Sequence, residues 1–153
     1  MPSYYTNARG QWFVDPVVEN YTGLIKRTVK EFETFIEEQN TPTTDQLLQQ
    51  LTQARKAQEQ QGVTLNSIRY AGDPGNRQAL QEAIAFMDDA DLTEFPSFKD
   101  SDNGFHADHP VVDVVDAYRA IGARRAQLIA AEGEYASEIT AGTLTDLTEV
   151  TWP

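Results

Sequence analysis

The amino-acid sequence predicts an α+β fold, mostly helical, with an N-terminal aromatic arm and long helix followed by a C-terminal module in which a small antiparallel sheet packs with two helices. Three observations carry this. Apolar residues recur at three-four spacing over 17–39 and again over 111–140, the period of an amphipathic helix. Asp102-Asn103-Gly104 stands between two stretches of strand-like composition, a strong short-range signal for a hairpin. Asp73–Pro74 supplies a helix start, with the carboxylate as cap and the proline in the first turn.

Residues 1–16 read as a short arm or hairpin. Tyr4, Tyr5, Trp12 and Phe13 flank Asn7-Ala8-Arg9-Gly10, whose Asn and Gly suit a turn. Such aromatics either fold back on their own domain or dock on a partner. From Val17 to about Gln39 a helix is expected, opened by Asp15–Pro16. Val18, Tyr21, Ile25, Phe32 and Phe35 mark one seam, with Val17, Leu24, Val29 and Ile36 beside it and Thr28 at one expected apolar place. The stripe suits self-association through a short coiled coil, and it equally describes a helix buried in its own domain. Aromatic side chains dominate binding hot spots. Tyr4, Tyr5, Trp12, Phe13, Val18, Tyr21, Ile25, Phe32 and Phe35 are therefore the candidate partner-binding residues, and residues 1–40 the candidate docking or oligomerising segment.

Asn40-Thr41-Pro42 interrupts the chain, and Thr43-x-x-Gln46 has the form of a capping box. The helix it opens, to about Gln61, carries Leu47, Leu48 and Leu51 and then turns polar and glutamine-rich. Residues 41–62 are accordingly expected to be a polar helical spacer, ended by Gly62. The module itself spans 63–153. It begins with a strand at Val63–Tyr70 and a helix that buries Leu80, Ala83, Ile84 and Met87 before ending at Asp88-Asp89-Ala90-Asp91. A hairpin over Phe95–His109 follows, with Pro96 suiting an edge strand. The last helix, Val111 to about Thr140, buries Val111, Val114, Val115, Tyr118, Ile121, Leu128, Ile129, Tyr135 and Ile139. Gly142 is its expected cap, and Leu144, Leu147, Val150 and Trp152 form a tail packed back on the module.

Composition narrows the function classes. Twenty-four acidic against 12 basic side chains give a formal charge of −12, the wrong sign for neutralising phosphates, so nucleic-acid binding is not expected. The basic clusters Lys26, Arg27, Lys30, then Arg55, Lys56, then Arg124, Arg125 read as solvated faces or as contacts to an acidic protein surface. There is no cysteine, hence no disulfide, thiolate nucleophile or sulfur-ligated metal. No apolar run approaches the roughly eighteen residues of a membrane span. Met1–Pro16 is polar and aromatic rather than basic and then apolar, so export by a standard signal is not expected.

Few motifs carry chemistry. His106, Asp108 and His109, with Asp113 beyond, are the sharpest metal-ligand candidates. In a regular strand, however, His106 and His109 face opposite sides, and no third histidine exists. Asp100-Ser101-Asp102-Asn103-Gly104 starts like a calcium loop, but the glycine falls one place early and the twelfth position is Val111. Glu132, Glu134 and Glu138 lie among Ala and Gly on a helix, which reads as a solvated face rather than a catalytic pair. No phosphate loop, nucleophile elbow or dinucleotide fingerprint occurs. No enzyme, catalytic residue, cofactor or resident metal is expected.

From Ala54-Arg55 through Gly62-Val63-Thr64, Ile68-Arg69-Tyr70, Asp73, Asn76-Arg77-Gln78-Ala79-Leu80, Asp102-Asn103-Gly104-Phe105 and the Ala-rich helix to Trp152–Pro153, the chain resembles a family of bacteriophage tail proteins. That family carries a C-terminal domain of unknown function, also found in tail-fibre and tail-fibre-assembly proteins. The resemblance covers about residues 52–153; Phe95 and Phe98 stand where the family has a tryptophan or similar aromatic, and Pro96 is unusual. It implies a structural virion protein, made in the host cytoplasm and placed at the tail, fibre- or baseplate-associated. Its partners would be other tail proteins and further copies of itself, a trimer being favoured. A tail-fibre assembly chaperone is the alternative, and a metal-dependent hydrolase using His106 and His109 a second.

Overall fold

A computed structural model of the chain describes residues 1–16 and 23–153, which fall into two compact units, Met1–Thr43 and Thr44–Pro153. The fold is α+β, as the periodicities predict.

In the first unit, strands β1 (Tyr4–Thr6), β2 (Trp12–Val14) and β3 (Ile25–Arg27) form an antiparallel sheet in the order β2-β1-β3. The Asn7–Gly10 turn joins the first two, with the Asn7 Oδ1 accepting from the backbone of Arg9 and Gln11 at 2.9 and 3.1 Å. Helix α1 runs over Val29–Asn40. This corrects the helix expected from residue 17: Ile25 lies in a strand, paired with Thr6, and the helix starts only after Thr28. Thr28 is the cap. Its hydroxyl accepts from the Glu31 amide at 3.2 Å, and Glu31 accepts from the Thr28 amide at 2.7 Å. The residue that interrupts the apolar seam thus begins the helix, as Thr-x-x-Glu does in a capping box. Val17, Val18 and Tyr21 lie outside the described residues.

The second unit is organised on α4 (Val111–Ala141), which at 31 residues is about 46 Å long. Two apolar cores sit on it. Toward its N-terminal half lie Tyr70, Leu80, Val114, Ala117 and Ile121, flanked by Val63, Leu65, Ile68, Phe95 and Phe98. Toward its C-terminal half lie Leu47, Leu51, Ile139 and Leu144, flanked by Tyr135, Leu147, Val150 and Trp152. The tail therefore folds back as expected, the Tyr135 hydroxyl donating to the Thr151 carbonyl at 3.0 Å. Leu128 is fully buried, whereas Ile129, expected inside, is exposed.

Around the first core are three elements. The expected strand at Val63–Tyr70 is instead a tight hairpin of β4 (Val63–Leu65) and β5 (Ile68–Tyr70). Its two turn residues, Asn66 and Ser67, both take positive φ, the geometry of a two-residue turn. Helix α3 (Pro74–Asp89) is capped by Asp73, whose carboxylate accepts from the Asn76 amide at 3.0 Å. Strands β6 (Glu94–Lys99) and β7 (Phe105–Pro110) form the second hairpin.

Helix α2 (Thr44–Gln61) is not a spacer. It lies along α4, and one side of its polar half, around the buried Arg55, joins an ion network there while the rest stays exposed. Arg55 is 9% exposed and contacts Glu59 and, at 2.6 Å, Glu132; Thr52 donates to Glu132 at 2.6 Å. Arg125 reaches Glu59 at 3.2 Å. The Arg55 and Glu132 positions, read as solvated from their polar neighbours, are therefore joined in the interior. Helical spacing of charge alone does not show which face meets another helix.

Candidate functional site

The histidines of β7 meet in a way regular strand geometry does not give. The ladder omits the pair Pro96–Asp108, and Asp108 takes φ +50°. Proline has no amide hydrogen to donate to its neighbour, so the pairing fails at this point and the strand rolls. Phe95 and Phe98 consequently approach to 5.7 Å between ring centres, and His106 and His109 to 5.9 Å. The expectation that the two histidines face opposite sides is corrected.

Their surroundings differ. His109 is buried at 4% exposure, stacks on Phe98 at 4.7 Å, and shares a 2.9 Å hydrogen bond between Nε2 and the Tyr70 hydroxyl. Burial lowers the His109 pKa; His106 nearby lowers it further, and Asp113 opposes this. Burial likewise pushes Tyr70 up to about 12, so the phenol stays protonated. His106 Nε2 donates to Asp100 Oδ2 at 2.8 Å. The other oxygen of Asp100 accepts from the amides of Asp102 and Gly104 at 2.8 and 2.7 Å. These bonds, His106 first, hold the Asp100 carboxyl below its usual range. Arg69 ties the same turn to β5, donating to Asp102 at 2.8 Å and to the Ser101 carbonyl at 3.0 Å.

The Asp100–Gly104 segment is thus a turn closed by its own carboxylate and pinned by Arg69. Asp108, the remaining ligand candidate, is exposed. Among the described residues no three His, Asp or Glu side chains converge as a metal site.

The buried imidazole has a measurable consequence. Because its folded pKa lies below the unfolded value of about 6.5, the unfolded chain takes up a proton first as pH falls. Stability from this residue is complete above that value and is lost progressively below it. Urea unfolding between pH 7.5 and 5 is expected to show His109→Phe losing less stability with acidification than the parent. Equal slopes would remove His109 as the cause.

The candidate partner-binding residues lie in the first unit. Tyr4 stacks on Phe32 at 4.2 Å, and Trp12 contacts Phe32 and Phe35 at 5.4 and 5.1 Å. These four rings pack on one another across sheet and helix, and all stay half-buried. Tyr5 and Phe13 pair with each other on the opposite sheet face. Ile25, Val14, Val29 and Ile36 are exposed. A groove of about 400 Å³ opens beside Trp12, bounded by Phe35, Lys30 and Glu38. In the second unit an apolar groove of about 510 Å³ runs between α3 and α4, floored by Ile84, Val115 and Tyr118 and rimmed by Asp88 and Arg119. Sequence reasoning missed this groove; its one signal was apolar residues at the acidic end of α3, such as Leu92.

Residues 42–151 match the family described as Domain of unknown function (DUF4376). The chain belongs to this family. The matched segment coincides closely with the second unit, so the α2–α4 pairing and both cores belong to the DUF4376 domain, and the aromatic first unit precedes it. No curated protein and no solved structure matches the chain. Among the described residues, no helix is long and apolar enough to cross a membrane.

Proposed function

We propose that the chain is a structural bacteriophage tail protein, fibre- or baseplate-associated, which acts by protein–protein binding and not by catalysis. Its first unit is the docking part, and the DUF4376 domain is the part it presents. The tail placement rests on the resemblance of residues 52–153 to phage tail proteins. The docking role is supported by one observation: among the described residues of Met1–Thr43, Thr6 alone is buried, and no residue of α1 is. A unit of this size rarely holds a fold without a sizeable core. Here the aromatic cluster of Tyr4, Trp12, Phe32 and Phe35 stays only half-buried, and burying it against another copy completes that core.

Light scattering tests this on the full chain and on residues 44–153, which contain both cores of the second unit. The expected result is an oligomer, a trimer being favoured, that falls to a monomer when the first unit is removed. A full chain that is monomeric at high micromolar concentration overturns self-docking and favours the assembly-chaperone reading, in which the unit waits for the fibre.

A further inference from the structure

The second unit holds a cavity of about 330 Å³ between the polar half of α2, the start of α3 and the flank of α4. Four cations line it, Arg55, Lys56, Arg77 and Arg125, against two carboxylates, Glu59 and Asp73. In a chain of formal charge −12, such a gathering of positive charge runs against the surrounding composition.

The two acids are already committed. Asp73 caps α3 through its bond to the Asn76 amide, and Glu59 is held by Arg55 and Arg125. Of the cations, Arg77 is held only loosely and Lys56 not at all. Lys56 makes no ion pair among the described residues. Arg77 stands 4.0 Å from Glu59, and its Nη1 is buried with no hydrogen-bond partner. That nitrogen has the charge attraction of Glu59 but no hydrogen bond, so a closer acceptor would be favourable.

We infer that this cavity binds a phosphate monoester. Four cations stand against the two carboxylates of the lining and Glu132 behind Arg55, a positive balance, and a monoester carries about −1.5 to −2 at neutral pH with three acceptor oxygens. Arg77 offers a planar fork of donors that matches phosphate geometry, and Lys56 a mobile point charge beside it. Arg55 and Glu59 form the fixed floor. Binding at this place is independent of how the first unit docks.

Phosphorus NMR and isothermal titration on the full-length protein test the inference at constant ionic strength. The probes are methyl phosphate, inorganic phosphate and succinate. Methyl phosphate is expected to bind at submillimolar concentration, and at least tenfold more weakly to Arg77→Gln and to Lys56→Gln. Lys56 is exposed, so its substitution leaves the fold in place if Arg77→Gln does not. Inorganic phosphate binding more tightly than the ester would replace the ester with the free anion. Succinate binding as well as phosphate, unchanged affinity in both variants, or no heat beyond that of added chloride would each overturn the proposal.

Discussion

Replacing Gly62 with alanine is expected to cost about 3 kcal/mol or more, enough to unfold much of a small domain's margin. Gly62 ends α2 with φ +70°, a conformation in which side chains are strained. A Cβ there would stand 1.8 Å from the Tyr70 carbonyl oxygen and 2.7 Å from the Ala71 Cα. Both are backbone atoms, so no rotamer change relieves the clash. The end of the β4–β5 hairpin would have to leave α2, and with it Tyr70 would leave the first core. Gly72 packs against the same turn from the other side, a Cβ there meeting the Glu59 carbonyl oxygen at 2.1 Å. Urea denaturation of the full chain measures the effect. The control is Gly133→Ala, where a Cβ meets nothing within 4 Å; that change is expected to be neutral or to stabilise by roughly 0.5 kcal/mol. If Gly62→Ala proved as mild as the control, the close approach of helix and hairpin would be disproved.

Arg55→Met is expected to destabilise by about 3 kcal/mol. Its side chain is 11% exposed, and it faces Glu59 at 9% and Glu132 at 20%. Removing the guanidinium leaves two carboxylates in the α2–α4 interface. The cost falls at the low end of the range for broken buried pairs because Arg125 still reaches Glu59. The neutral methionine keeps the packing of the stem, which separates charge from volume. Combining Arg55→Met with Glu132→Gln is expected to restore part of the loss, since the orphaned charge goes with its partner. A single variant within 0.5 kcal/mol of the parent, near the usual limit for surface changes, would return Arg55 to a solvated face.

These expectations concern what was hardest to see in the sequence. The helices of the DUF4376 domain, the Asp73 and Gly142 caps, the Asn103–Gly104 hairpin and the folded-back tail were all legible, because each rests on local chemistry: apolar period, capping carboxylate, turn residue. What escaped was set by partners distant in the chain. The polar half of α2 looks solvated until Glu132, distant in sequence, is laid against Arg55. The Asn66–Ser67 turn hides inside one apolar-polar run, and only its two positive φ angles divide the strand. Thr28 was visible as an interruption but not as a start, because the Asp15–Pro16 signal came earlier. For the candidate sites, the histidines are legible but their relation is not, since it depends on the skipped pair at Pro96 and the positive φ of Asp108 between them. The aromatics are legible too, but their mutual stacking depends on α1 lying against β1 and β2, which local pattern does not show.

Helix α4 serves both cores of the second unit, and this bears on the order in which the domain assembles. The first core joins residues from 63 to 121, while the second joins residues from 47 to 152 and so encloses the first in sequence. The inner set closes through hairpins and short connections, which are the fastest steps available to a chain. The outer set must close much longer loops, at greater entropic cost. Once the inner set has formed, however, it holds half of α4 in helical form, and extending a helix is far easier than starting one. The outer core is therefore expected to form on a surface already half built, with α2 and the Trp152 tail docking last.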